Sequence, residues 1–119
     1  MKSIVANRVD QELGKICDPA LVAAIRRLLV TPYSVDRDWN YGAPGEKYAC
    51  WSVLEHPPSN TGIAYCEMGF GPQYPWGLVF LSGDFMDIGM DSGWFANLED
   101  AMRESCAWEF PNPPNHEIA

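Results

Sequence analysis

The chain has 119 residues, of which 47% are hydrophobic and 20% charged, and its formal net charge is −8. This composition excludes disorder for most of the chain, and the length predicts one domain, residues 1–119, with its own core. The apolar runs are far too short to cross a bilayer, so we expect no membrane partner. Asn7 and Arg8 interrupt the apolar run that a secretory leader would need, which predicts a cytoplasmic protein.

The charge is divided unequally along the chain. Residues 1–47 contain seven Lys or Arg and six Asp or Glu, a balance of +1, whereas residues 48–119 contain one base, Arg103, and ten acids, a balance of −9. An acidic half of this kind disfavours binding to nucleic acid or to an anionic membrane. It favours a basic partner or serves solubility alone.

Two segments before residue 31 have helical character. Residues 1–17 place apolar side chains at helical spacing, but a glycine weakens the pattern and the segment stays ambiguous. Asp18 and Pro19 mark a clear helix start, as N-cap and first helical residue. The apolar stripe that follows predicts an amphipathic helix ending near Val30, because Pro32 disfavours helix at the residue before it.

Residues 33–47 are rich in Asp, Asn, Gly and Pro, and they are predicted to form a loop or an irregular edge. Three aromatic residues are unusual for such a segment: Tyr33, Trp39 and Tyr41. They either cover the core or form a contact surface.

The stretch from Tyr48 to Ser82 organises the rest of the chain. Three runs rich in aromatic and β-branched residues are separated by clusters of Pro, Gly, Asn and Ser, which is typical of strands joined by turns. The connections are too short for a crossover helix, so these strands should be antiparallel neighbours. A short further strand is predicted at about residues 86–90.

The last helix is predicted to start at Asn97, a good N-cap, and to run to Glu109, with residues 110–119 as an extended tail. The sequence therefore predicts an α+β fold. Its centre is an antiparallel meander of three to five strands, with N-terminal and C-terminal helices packed on it.

The four cysteines, Cys17, Cys50, Cys66 and Cys106, are too scattered for a zinc ribbon and include no Cys-x-x-Cys pair. In a reducing cytosol we expect free thiols that act as small apolar residues. Cys50 and Cys66 should lie on neighbouring strands, near but not opposite each other, which argues against a disulfide between them.

Catalytic and metal-binding patterns are weak in this sequence. His56 and His116 have no partner at a recognised ligand spacing, so we predict no metal and no cofactor. A Cys–His56 pair, or Glu55 and Glu67 on adjacent strands, would be the candidates for catalysis. We expect the strand thiols to be inert and the glutamates to be solvated or cross-strand polar positions.

The residues predicted to bind a partner are Asp84, Asp87, Asp91 and Trp94. The glycines among the three aspartates imply an exposed loop, which would present a negative field to a basic protein. Trp94 would supply an apolar anchor beside them, unless it is buried at the start of the last helix.

Two stretches give the chain a likeness to a known class: Gly-Phe-Gly-Pro-Gln-Tyr-Pro-Trp-Gly-Leu-Val-Phe at 69–80 and Ser-Gly-Trp-Phe-Ala-Asn-Leu-Glu-Asp-Ala at 92–101. Together with its size and acidity, the chain resembles the immunity proteins of bacterial toxin systems over roughly residues 39–109. The resemblance implies a neutralising complex with a cognate toxin, often a basic nuclease. It carries over no site residue.

The leading hypothesis is therefore a non-enzymatic protein that binds and blocks a basic protein. One alternative is a small enzyme or ligand-binding domain with a pocket between sheet and helices, and another is an acidic mimic of nucleic acid. The first requires a coherent acidic surface and the second a pocket with convergent His, Cys or Glu. The third requires a regular row of carboxylates.

Overall fold

The computed structural model describes residues 2–39, 41–83, 86 and 93–108. Within these residues the elements follow one another as helices α1 (Lys2–Lys15) and α2 (Pro19–Leu28), strands β1 (Leu29–Asp38) and β2 (Lys47–His56), a 3₁₀ turn (Pro57–Ser59), strands β3 (Thr61–Tyr65), β4 (Trp76–Phe80) and β5 (Trp94–Phe95), and helix α3 (Leu98–Glu104). None of these helices has the length and apolarity that crossing a bilayer requires.

The strands form one antiparallel sheet in the order β1-β2-β3-β4-β5. Each strand pairs with its neighbour in the chain, so the meander predicted for residues 48–82 is confirmed and is extended by a strand at either edge. The α+β fold with helices from both ends of the chain is also confirmed. The further strand predicted at about 86–90 and the tail at 110–119 lie outside the described residues, apart from Met86.

The starts of α2 and α3 follow from their caps. The Asp18 carboxylate accepts a hydrogen bond from the Ala20 backbone N–H at 3.0 Å, and the Asn97 side chain accepts one from Asp100 N–H at 2.8 Å. These bonds satisfy donors that a first helical turn leaves open. Both caps are within three residues of their partners, which is why the sequence predicts them correctly.

Both helices end earlier than predicted. Helix α2 stops at Leu28 because Leu29 has extended backbone and pairs with Leu54 at the start of β1. Helix α3 stops at Glu104, short of the predicted Glu109, because Ser105 also has extended backbone. The Ser105 hydroxyl donates to the Met102 carbonyl oxygen at 2.7 Å and so closes the last turn.

Helix α1 resolves the ambiguity of the first residues. Val5, Val9 and Leu13 are buried on one side of it, as their helical spacing requires. The Glu12 carboxylate accepts a hydrogen bond from the Leu98 backbone N–H at 2.8 Å, which ties α1 to the first residue of α3.

The sequence predicts a loop or an irregular edge over residues 33–47, and the loop is wrong for the first part, because β1 continues to Asp38 at the edge of the sheet. Asp36 and Asp38 are exposed on this edge strand, where charged side chains are common and block pairing with other chains. The register shifts between Leu29 and Tyr33, an irregularity that accommodates Pro32. The breaker residues of this segment therefore indicate an edge strand, and the connection between β1 and β2 is shorter than the predicted loop.

The two faces of the sheet are covered differently. On one, the helix-covered face, Val53, Ile63, Tyr65 and Trp76 pack with buried side chains of α1, α2 and α3 in the main core. On the other, the outer face, Cys50, Ala64, Cys66 and Val79 form a second buried cluster. Successive residues of a strand point to opposite sides, so Ile63 and Tyr65 serve one core while Ala64 and Cys66 serve the other.

A buried arginine joins two helices beside the main core. Arg103 of α3, whose side chain is 3% exposed, forms ion pairs with Asp18 at 3.4 Å and with Glu99 at 3.0 Å. Asp18 is also the N-cap of α2, so one carboxylate serves both helices. Arg103 is the single base of residues 48–119, so the one positive charge of this half is neutralised by ion pairs inside the fold.

Candidate functional site

Of the four residues predicted to bind a partner, Asp84, Asp87 and Asp91 lie outside the described residues. Trp94 is half-buried in β5 and pairs with Gly77 of β4. Its ring lies directly against Gly77, where a Cβ would overlap the indole. Trp94 therefore covers the outer face, and it is not buried under the last helix.

Trp94 belongs to a larger group of packed rings, here called the aromatic cluster: Trp39, Tyr41, Tyr48, Phe70 and Trp94. The rings of Trp39, Tyr41 and Phe70 meet edge to face, with interplanar angles of 80°, 82° and 83° and centroids 5.1 to 6.1 Å apart. Phe70 also contacts Trp94, with centroids 6.0 Å apart. Such contacts are the preferred geometry for aromatic pairs.

The rings of the aromatic cluster pack against one another, with centroids 5.1 to 6.1 Å apart. Tyr41 is 59% exposed, while the other four members of the aromatic cluster are half-buried. Met68, two residues before Phe70, is 66% exposed. The aromatic cluster therefore has an apolar surface, and Trp39, Tyr48 and Trp94 fix it to the buried residues of the outer face.

Two tight turns bring these rings together. In the first, the Trp39 backbone N–H donates to the Glu46 carbonyl oxygen at 2.9 Å, and Gly45 has a positive φ of 84° that favours glycine. The Glu46 carboxylate accepts a hydrogen bond from the Tyr48 hydroxyl at 2.6 Å. In the second, Gly71 has a φ of 92° beside Phe70. The backbone of the two turns thus holds the rings in place.

The sequence-based site includes Trp94 but neither Tyr41 nor Phe70. A signal for Tyr41 is present, because aromatic residues inside a breaker-rich segment were interpreted as a lid or a contact surface. In the structure Trp39 packs on the outer cluster as a cover, while Tyr41 remains exposed at the surface. Phe70 lies in a turn whose partners are distant in the chain, which no local pattern indicates.

Arg37 is a buried cation on the outer face. It is 2% exposed, and its Nη1 donates to the Met86 carbonyl oxygen at 3.1 Å, while its Nε has no hydrogen-bond partner within the described residues. Burial lowers the pKa of Arg37, because desolvation disfavours its charged form. Arg37 thus fixes Met86 over the outer face.

The two strand cysteines lie closer than predicted. All four cysteines are free thiols, as expected. Trp51 pairs with Tyr65, so the next step of an antiparallel register brings Cys50 opposite Cys66, whereas the sequence placed them near but not opposite. The irregularity of β2 lies beyond Ser52 and does not disturb this end.

The candidate catalytic pairs do not assemble. Glu55 pairs with Gly62 at one end of β3, while Glu67 follows the other end, so the two carboxylates lie at opposite ends of the sheet. Each accepts a tyrosine hydroxyl: Glu55 that of Tyr33, and Glu67 that of Tyr65.

These hydrogen bonds change the acidity of the tyrosines. The bond to Glu55 raises the pKa of Tyr33, and burial together with Glu67 raises the pKa of Tyr65 to about 12. His56 Nδ1 lies 2.8 Å from the Ser59 hydroxyl in the 3₁₀ turn, at the end of β2 far from Cys50. No Cys–His pair forms among the described residues.

A polar cleft of about 220 Å³ lies between α1 and the end of β3. Its charged lining residues are Arg8, Glu12, Lys15 and Glu67. Glu12 is engaged by Lys15 at 3.0 Å and by the backbone of α3. Among its described lining residues there is neither His nor Cys, and its two carboxylates are those of Glu12 and Glu67.

Within residues 2–39, 41–83, 86 and 93–108, no group of three His, Cys, Asp or Glu side chains could hold a metal ion.

Comparison of the chain with models of protein families, with curated protein sequences and with solved structures yields no match. The functional conclusion therefore depends on the geometry of the outer face and on the distribution of charge.

Proposed function

We propose that this chain is a non-enzymatic protein that binds and blocks a basic protein partner, as an immunity protein neutralises its toxin. The observation that carries the proposal is the aromatic cluster, a set of interlocked rings with Tyr41 exposed at its surface. Tryptophan and tyrosine dominate the binding energy of protein interfaces, and they do so from well-packed central positions.

The packing of the cluster lowers the cost of binding. Rings that already contact one another at 5.1 to 6.1 Å lose little further side-chain freedom when a partner covers them. A partner would bury the exposed part of Tyr41 and the thioether of Met68, which adapts to irregular surfaces.

Charge supports a basic partner. The balance of residues 48–119 is −9, and the one base among them, Arg103, is buried in ion pairs with Asp18 and Glu99. The surface of this half is therefore strongly acidic, which accelerates encounter with a cation-rich protein. We assign Asp84, Asp87 and Asp91 to the acidic part of the interface, with Trp94 as the apolar anchor beside them.

The two alternatives receive less support. An enzyme would use the cleft beside α1, where the carboxylate of Glu12 is already engaged by a backbone N–H and by Lys15. A nucleic-acid mimic would need a row of free carboxylates. Three acids of the second half, Glu55, Glu67 and Glu99, instead accept hydrogen bonds from side chains of this chain.

The test begins with capture of the partner from a lysate of the native host and its identification by mass spectrometry. Binding of the purified partner is then compared for wild type, Tyr41→Ala and the control Ile4→Ala, which removes an apolar side chain that is 53% exposed on α1. We expect Tyr41→Ala to weaken binding by about thirty-fold, or about 2 kcal/mol, and Ile4→Ala to leave it unchanged. Equal binding by all three proteins would contradict the proposed surface.

The acidic part of the interface has its own measurement. Changing Asp84, Asp87 and Asp91 together to Asn should slow association and alter dissociation less, because rim charges act on the encounter rate. Raising salt from about 0.05 to about 0.5 M should erase most of this difference. An association rate of the wild type that does not respond to salt would exclude electrostatic attraction of a basic partner.

A further inference from the structure

Cys50 and Cys66 occupy directly opposed positions on neighbouring strands. The pairing of Trp51 with Tyr65 brings them face to face one step further along. The Cys66 backbone N–H donates to the Pro75 carbonyl oxygen at 2.9 Å, on the β4 side, and so points away from β2. Towards Cys50 the position is therefore a non-hydrogen-bonded pair, where side chains approach most closely.

This geometry suits a covalent link between the two sulfurs. The Cα atoms of a non-hydrogen-bonded antiparallel pair are about 4.5 Å apart, which lies within the range of about 4.4–6.8 Å that disulfides span. Both side chains belong to the outer cluster and point to the same face. The link would thus need little movement of the backbone.

The surroundings of the pair distinguish its two sulfurs. The Cys50 thiol donates to the Tyr48 carbonyl oxygen at 3.7 Å. Its contact with Cys66, together with the backbone N–H groups of Met68 and Gly69, lowers the pKa of Cys66. The same contact with Cys66, together with burial, raises the pKa of Cys50. The two sulfurs therefore differ in acidity, and we assign the more acidic Cys66 as the attacking thiol and Cys50 as the resolving thiol.

We propose that Cys50 and Cys66 form a reversible thiol–disulfide site, which a hydroperoxide oxidises to a cross-strand disulfide on the outer face. The proposal goes beyond partner binding and does not depend on it. The remaining two cysteines, Cys17 and Cys106, are exposed and belong to other parts of the chain. Cys50 is 0% and Cys66 2% exposed, so the site selects a small oxidant over a bulky one.

The chemistry balances with one hydroperoxide. The Cys66 thiolate attacks an oxygen of hydrogen peroxide, the O–O bond breaks, and Cys66 becomes a sulfenic acid while hydroxide leaves. That hydroxide takes the proton of Cys50 to give water. The Cys50 thiolate then attacks the Cys66 sulfur and displaces a second hydroxide as the S–S bond forms. Two electrons pass from the sulfurs to the peroxide, and a dithiol reductant reverses the change.

The primary test uses the whole, unmodified chain. The reduced protein is treated with equimolar hydrogen peroxide near neutral pH, unfolded in an alkylating reagent, and mapped by mass spectrometry. We expect the loss of two hydrogens, a peptide in which Cys50 is linked to Cys66, and alkylated Cys17 and Cys106. Oxidised protein in which Cys50 and Cys66 are not linked to each other would overturn the proposal.

Two variants test the contact between the two sulfurs. Cys50→Ala removes the neighbouring polar group and the resolving thiol, so Cys66 should stop at a sulfenic acid that dimedone traps, and the pH midpoint of its oxidation should rise by about one unit. Cys50→Ser retains a hydroxyl donor, and its midpoint should stay near that of the wild type. A midpoint that is the same in Cys50→Ala as in the wild type would contradict the assigned pairing.

Discussion

The two faces of the sheet differ in what covers them and in what their side chains do. The helix-covered face is closed by three helices, and its strand residues, such as Val53 and Ile63, are apolar and fully buried. The outer face is closed by turns and strand ends, and it contains two thiols, the buried Arg37 and the aromatic cluster. Groups that can react or make contacts therefore collect where loops, and not helices, complete the fold.

The difference also separates the main core from the two sites that we propose. Apolar burial is the main stabilising term, and most of it lies on the helix-covered face. Among the described residues the outer cluster has four buried members, so a change there should cost less stability and alter the surface more. The following predictions test this division, from the largest effect to the smallest.

The sharpest comparison makes the same substitution on both faces. Val53→Ala should lower the free energy of unfolding by about 2.5 kcal/mol, because a fully buried side chain leaves a cavity in the main core. Val79→Ala should lower it by about 1 kcal/mol, because its neighbours Tyr48 and Trp94 are only half-buried and can close the gap. Urea unfolding of the two variants measures both values, and a larger loss for Val79→Ala would reverse the division.

Gly77 tests how firmly Trp94 is held on the outer face. Gly77→Ala should destabilise the protein by about 2 kcal/mol and displace Trp94, because the new Cβ would overlap the indole ring. Gly14→Ala is the matched control, since a Cβ there meets no atom within 4 Å in α1, and it should stabilise by up to about 1 kcal/mol. Thermal unfolding and tryptophan fluorescence report the two effects. If Gly77→Ala leaves stability and fluorescence unchanged, Trp94 does not pack against Gly77.

Tyr65 tests the edge of the helix-covered face, where a tyrosine pairs with an acid. Tyr65→Phe should cost about 1 kcal/mol at neutral pH, through loss of the hydrogen bond to Glu67. The folded pKa of Tyr65 is raised to about 12 from an ordinary value of 10.0. Its contribution is therefore complete below pH 10.0 and is lost as the pH rises towards about 12, because the unfolded chain ionises first.

The measurement is denaturant unfolding of wild type and Tyr65→Phe at several values between about pH 8 and pH 11. The advantage of the wild type should shrink as the pH passes 10.0, the ordinary pKa of tyrosine. If the difference in unfolding free energy between wild type and Tyr65→Phe is constant across this range, the raised pKa of Tyr65 does not contribute to it.

Part of this fold follows from the sequence because its determinants are local. The caps at Asp18 and Asn97 act within three residues, and clusters of Pro, Gly and Asn in the sequence indicate the turns of the meander. The ends of the helices are less predictable, because Leu29 leaves the helical path to pair with Leu54 across the chain.

The tertiary structure alone decided which segments that are distant in the chain contact one another. The β1 strand exists because its backbone pairs with β2, although its aspartates and proline read as breakers. Phe70 meets Trp39 and Trp94, and Cys50 meets Cys66, only through strand register and two tight turns. A one-residue change in register would move these side chains to the opposite face. Both faces of this sheet bury apolar side chains, so the alternation of apolar and polar residues does not fix the register, and these contacts are a property of the folded sheet.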